Sequence, residues 1–186
     1  MKMFAAALLA VLAPFALAAP ANHDGVTYKI PFNGDGVFRA TVDANGNVTS
    51  TRLQDLSVGA KLERDVQLGK RYPPLPISSH ECMAYHPNFG DFNLAVAEFG
   101  LFCDQGNPVL DSQTEMLYVA IGSTVAFGCS WSGGSQPCST AEYRYFLRYM
   151  TDNCGSFRGG YADMVSWKKQ YGVQLRGEVT CGKWIS

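Results

Sequence analysis

The side chains with the most capacity for chemistry are six cysteines (Cys82, Cys103, Cys129, Cys138, Cys154 and Cys181) and three histidines (His23, His80 and His86). A cysteine acts as nucleophile or metal ligand only as a free thiolate. Six can all pair, which leaves no spare thiol. No Cys-x-x-Cys pair occurs, and His80-Glu81-Cys82 with His86 fits no common zinc spacing. No metal and no cofactor is therefore expected. There is no Gly-x-Ser-x-Gly elbow, and neither His80 nor His86 lies in a nucleophile motif. No spacing singles out a carboxylate pair of the kind a glycosidase sets across a cleft. Gly133-Gly134 and Gly159-Gly160 lack the lysine and helix context of a phosphate loop. The residues point to a chain with no catalytic site, and a small hydrolase is the less favoured alternative.

Recognition is the remaining chemistry. The stretch between Cys129 and Cys138 holds Trp131 among serines and glycines. If those two cysteines pair, Trp131 stands near the tip of a short stapled loop, a form suited to a binding anchor. The competing reading folds Trp131 back onto the core. Tyr72, Tyr85 and Phe89 either serve in the same way or cover the core. Lys168-Lys169 is the most concentrated basic pair and is expected at the surface. Residues 72 to 138 carry six acids and no Lys or Arg, whereas residues 139 to 186 carry seven bases and four acids. Attraction between the two halves explains this asymmetry, and a basic face that meets a partner is the sharper reading.

The cysteines and the N-terminus agree about compartment. Lys2 precedes an apolar run from Phe4 to Leu17, and Ala16-Leu17-Ala18 offers small residues for a signal peptidase. Residues 1–18 are read as a signal peptide, too short an apolar run for a spanning helix of about 20 residues. An even cysteine count behind such a leader implies oxidation outside the cytosol, with the pairing left open. The chain is expected to be secreted, extracellular and soluble, with no nucleic-acid partner. Asn47-Val48-Thr49 is a glycosylation sequon. All six cysteines follow residue 81, and Lys70-Arg71 precedes the stiff run Tyr72-Pro73-Pro74-Leu75-Pro76. The pair reads as a processing site or as an ordinary exposed dipeptide. Residues 19–71 then form a β-rich N-terminal segment or propeptide, and residues 72–186 a cysteine-rich α/β domain.

These residues need elements to position them. Asn45-Gly46 between residues 37–42 and 48–53 is a hairpin signal, with residues 26–30 as a third strand. Asp91 is a candidate cap for a helix over about 92–103, whose stripe is Phe92, Ala95, Val96, Phe99 and Cys103. Residues 116–121 and 124–127 flank Gly122-Ser123, which suits a two-residue II′ turn. Ser139-Thr140-Ala141-Glu142 has the form of a capping box before Tyr143, Phe146, Leu147, Met150 and Cys154, with Gly155 at the stop. Spacing predicts a short third helix over Tyr161–Tyr171 and a half-buried strand from Val173 to Cys181. The expected fold is α+β: a disulfide-stapled sandwich in which two or three helices cover an antiparallel sheet.

The strand Thr124–Cys129, the cysteine loop, the Ser-x-x-Glu helix start, the Cys154-Gly155 stop and the final strand resemble the killer-toxin family first known from smut fungi. Cys154-Gly155 with Trp167-Lys168-Lys169-x-Tyr171-Gly172 is similar to fungal secreted proteins more widely. The resemblance covers about residues 80–186. It implies an antiparallel α/β sandwich, a toxin-like or effector-like role (a virulence function where the other cell is a host), and a target on the surface of that cell. In the founding toxin, basic residues mediate a block of calcium uptake. This chain departs from that pattern in having fewer cysteines, a net acidic cysteine-rich domain and a β-rich front segment. No functional position transfers directly, so the candidate binding residues remain Trp131, Lys168 and Lys169. Apart from the resemblance, the second functional reading is an extracellular binding module for cell-wall carbohydrate or host defence components.

Overall fold

A computed structural model of the chain describes residues 26–32, 34–57, 74–105, 109–110, 115–131 and 136–182. The leader at 1–18, the Lys70-Arg71 pair and the boundary at 71 lie outside the described residues. The elements run β1 (Val26–Lys29), β2 (Gly36–Val42), β3 (Val48–Gln54), β4 (Ser79–Cys82), α1 (Phe89–Asp104), β5 (Val109–Leu110), β6 (Glu115–Ile121), β7 (Thr124–Ser130) and β8 (Gln136–Pro137). They continue with α2 (Thr140–Cys154), β9 (Gly160–Met164), β10 (Lys169–Leu175) and β11 (Glu178–Cys181).

The central hairpin explains the architecture. From Met116 to Ser130 the residues of β6 and β7 are all buried, apart from the half-exposed Ser123 in the turn and the exposed Gly122 beside it. Such continuous burial means that both faces of the sheet are covered. Gly122 has φ +52° and Ser123 does not share the positive sign, as a II′ turn requires. Around this hairpin the antiparallel sheet takes the order β3-β2-β6-β7-β10-β9-β4. One face packs on α1 and α2 through Phe92, Phe99, Leu117, Val119, Ala126, Phe146 and Tyr171. The other packs Phe38, Met116, Tyr118 and Phe127 against a ribbon formed by β1 and β11. The α+β sandwich is therefore observed, with two helices and a two-stranded ribbon on opposite sides of a seven-stranded sheet.

The front segment belongs to this assembly. β2 lies between β3 and β6, and β1 pairs with β11, so residues 26–54 supply one edge of the sheet and half of its second cover. Asp43 closes the β2–β3 turn by accepting from the Asn47 side-chain amide and from the backbone N–H groups of Asn47 and Asn45, and these bonds hold its carboxyl below the usual range. Asn47 is exposed beside it, accessible as a sequon should be.

Three expectations need correction. The cap of α1 is Asn88, whose side chain accepts from Gly90 and Asp91 N–H. Asp91 instead accepts from the Ser123 backbone and hydroxyl, which ties the helix start to the hairpin tip. The helix expected over Tyr161–Tyr171 is β9, a 3₁₀ turn at Val165–Trp167, and β10. Tertiary pairing overrides the helical spacing there: β10 is hydrogen-bonded to β7 and β9, and a Cβ on Gly172 would overlap the Phe127 ring. The single strand from Val173 to Cys181 is broken at Arg176-Gly177, with Gly177 at φ +150°. β10 therefore stays in the large sheet while β11 turns away to the ribbon.

The bridges are Cys82–Cys154, Cys103–Cys138 and Cys129–Cys181. They join β4 to the end of α2, the end of α1 to the start of α2, and β7 to β11. Cys129 and Cys138 thus have different partners, and the stretch around Trp131 is not stapled to itself. The bridges span 35 to 72 residues, worth about 4 kcal/mol each in the chain-entropy view.

No bridge involves residues before Cys82, so β1–β3 are held by pairing and packing alone. Cleavage at Lys70-Arg71 is expected to leave two pieces that elute together in gel filtration and separate only in denaturant. Dissociation of the front piece in native buffer would show that residues 72–186 stand alone.

Candidate functional site

The structure brings the three candidate binding residues to one end of the sheet, where β7 and β9 finish and β10 begins. Ser130 and Lys169 are register partners, and the backbone N–H of Trp131 donates to the Lys168 carbonyl at 2.9 Å. Their side chains part from there. Trp131 is half-buried, rests against Gly182 and packs on the ribbon-side core. It behaves as the folded-back alternative describes.

Lys169 is the clearest correction. It was expected at the surface, yet its side chain is 1% exposed. Strand alternation turns it to the helix side, together with Tyr171. Its ammonium donates to the Pro137 carbonyl at 2.5 Å and to Glu142 Oε2 at 2.6 Å, and lies 4.9 Å from the Tyr171 ring centre. Tyr171 donates its hydroxyl proton to the same Glu142 oxygen at 2.9 Å. Burial pulls the lysine below its ordinary range while Glu142 opposes the shift. Burial also pushes Tyr171 well up. The capping box is therefore half made: Ser139 accepts from Glu142 N–H, but the Glu142 carboxylate serves Lys169 and Tyr171.

Lys168 is exposed, in the left-handed region at φ +52°. The 3₁₀ turn ahead of it lifts Trp167 out to 38% exposure. These two residues rim a hollow of about 490 Å³ lined also by Gln136, Pro137, Glu142, Ser166 and Lys169. Sequence spacing missed Trp167 and Ser166 as site residues because it placed 161–171 on a helix, and it read Glu142 only as the end of a capping box. The signal lay in Gly159-Gly160 and Gly172, which suit strand ends and close packing better than a helix. The hollow can offer an aromatic face, one cation, an amide and a carboxylate edge.

A second polar group lies on the ribbon side of the same strands. Ser79 donates to Asp163 Oδ2 at 2.9 Å, and Tyr161 donates to Glu81 Oε2 at 2.5 Å. Asp163 is 2% exposed, and its Oδ1 has no hydrogen-bond partner among the described residues. Burial, with the nearby Glu81 charge, raises its carboxyl to about 6 against the Ser79 bond. Such burial keeps it from a substrate. His80 is exposed and shares a 3.1 Å hydrogen bond through Nδ1 with the Tyr149 hydroxyl. Its ligand atom lies within 4.8 Å of the Cys82 and Cys154 sulfurs, but those sulfurs are joined to each other. His86 is exposed.

Fold and site together define a disulfide-bridged α+β protein with an aromatic, basic hollow at one end of its sheet. Comparison with models of known protein families, with characterised proteins and with solved structures gives no match. Among the described residues no helix is long and apolar enough to cross a membrane.

Two outcomes follow. Lys169→Ala strips a buried partner from Glu142 and is expected to cost about 3 kcal/mol in urea unfolding, whereas Lys168→Ala stays within about 0.5 kcal/mol. Equal effects would refute the inward placement of Lys169. For Asp163, the folded chain holds its proton up to about pH 6 and the unfolded chain loses it near 4. Stability contributed by the neutral form is complete below about pH 4 and falls as pH rises to about 6, by about 2–3 kcal/mol. Asp163→Asn should flatten that slope in melts between pH 4 and 7; an unchanged slope would remove Asp163 as its source.

Proposed function

We propose that this chain is a secreted, non-catalytic protein of the fungal toxin-like or effector-like kind, which acts by binding a surface target of another cell. The observation that supports this most is the rim of the hollow, where Trp167 and Lys168 stand exposed on a backbone held on both sides by strands. An aromatic side chain on a rigid support gives contact area at low entropic cost, and a neighbouring cation selects acidic partners. Three disulfides suit a chain that matures in an oxidising compartment. The resemblance to the killer-toxin family agrees with this reading, although the inward turn of Lys169 leaves Lys168 as the exposed cation of that pair.

A second reading is favoured by the lining itself. An aromatic ring beside an amide and a carboxylate, Trp167 with Gln136 and Glu142, also suits a cell-wall sugar.

Labelled protein is expected to bind intact fungal cells, and Trp167→Ala with Lys168→Glu to weaken that binding more than tenfold without shifting the melting temperature. Binding that survives protease-shaved cells and transfers to insoluble chitin or β-glucan would favour the sugar reading. Cell binding untouched by the double variant would sink the proposed site.

A further inference from the structure

A cavity of about 310 Å³ opens on the helix side of the sheet, far along β10 from the hollow of Trp167. Its walls are mostly apolar, including Phe92 and Val96 of α1, Phe146, Leu147 and Met150 of α2, and Val173 of β10. Four of these, Phe92, Phe146, Met150 and Val173, belong to the buried core, so the cavity reaches past the surface into the sandwich. Its mouth is unusual. Phe157 sits in the left-handed region at φ +56°, a strained place for a large side chain. That conformation sets its ring edge-on to Phe89 at 4.6 Å and to Phe92 at 5.8 Å. The two outer rings remain open to solvent, Phe89 at 61% and Phe157 at 41%. Strain held to keep apolar rings at a cavity mouth points to a ligand.

The next residue supplies the polar end. Arg158 lines the same cavity and is half-buried. Its Nε donates to the Met83 carbonyl at 2.8 Å and its Nη1 to the Cys154 carbonyl at 3.5 Å, which fixes the guanidinium plane. Among the described residues it has no carboxylate partner. A fixed, unneutralised guanidinium beside an apolar cavity matches an anionic head on a hydrocarbon chain.

We propose that this cavity is a binding site for a free medium-chain carboxylate, with the chain between α1 and α2 and the head on Arg158. The volume accommodates a chain of about eight to ten carbons, taking each methylene as about the volume of one water molecule, ~30 Å³. A longer chain leaves its tail at the mouth, against the exposed Phe157 ring.

The test is isothermal titration of the intact oxidised protein with decanoate below its micelle concentration, and with 1-decanol as the uncharged twin. One site is expected for each. Octanoate should bind about fifteenfold more weakly than decanoate, at about fourfold per methylene. Arg158→Gln should weaken decanoate about tenfold or more and leave decanol unchanged. Val96→Trp should fill the cavity and abolish both, with near-UV circular dichroism as the check on folding. Thr151→Trp, from the exposed rim of the cavity, replaces it if that variant does not fold. Absence of saturable decanoate binding overturns the proposal. So does binding that survives a folded, filled cavity, or an equal loss of decanoate and decanol in Arg158→Gln.

Discussion

The constraint on which the rest of the structure depends is the two-sided burial of the β6–β7 hairpin. A strand pair apolar on both faces cannot be the outer layer of anything. It demands a cover on each side, and the chain builds two kinds. α1 and α2 cover one face with the aromatic stack of Phe99, Tyr143, Phe146 and Tyr171. The first and last described strands meet to cover the other. Each disulfide then fastens a cover or an edge to what it must hold. Cys103–Cys138 joins the two helices, Cys82–Cys154 joins α2 to the edge strand, and Cys129–Cys181 joins the hairpin to the ribbon. A chain of this size with a thin ribbon as one cover gains from such links, because the ribbon alone buries little.

The same constraint explains why polar groups end up inside. β10 runs between β7 and β9, with helices over one face and the ribbon over the other, and several of its polar groups find partners inside. Lys169 meets Glu142 and the Pro137 carbonyl. Gln170 accepts from the Gly182 N–H, and Arg176, where the chain leaves the sheet, reaches Asp35 at 3.0 Å. A buried ion pair of this kind adds little net stability over an apolar pair of similar shape, but it penalises any register that leaves one charge alone. The pairs therefore select how α2 and the β2 entry loop dock on β10 more than they strengthen the docking.

What the sequence made legible follows from where burial is one-sided. The α2 stripe of Tyr143, Phe146 and Met150, the Gly122-Ser123 turn and the Asn45-Gly46 hairpin are local patterns, and each is found where expected. Residues 161–171 were misread because Tyr161, Met164, Trp167 and Tyr171 fit a helical period by coincidence. Their real order is a strand pair around a tight turn, and the reason for it, the Phe127 ring against Gly172, is not local. That one error also hid the hollow. It kept Trp167 out of the candidate binding residues and put Lys169 on the same surface as Lys168, when Lys168 ends the 3₁₀ turn and Lys169 opens β10 with its side chain buried. The disulfide pairing was open for a similar reason, since it depends on which sheet β11 joins.

These placements change how charge can act in any encounter. The C-terminal quarter looks basic along the sequence, yet two of its cations are internal. Lys169 is neutralised by Glu142, and Arg176 by Asp35. Arg148 lies 3.9 Å from Asp152 one turn on, fully in solvent, where such a pair fixes little and still cancels charge at a distance. The field over the hollow is therefore weaker than the sequence count implies. At physiological salt it extends only about 8 Å. Long-range attraction of an acidic target is a poor basis for affinity here. Short-range contact is better supplied, by a tryptophan face and one lysine on a stiff turn. A partner that fits this end of the molecule has to match its shape first and its charge second.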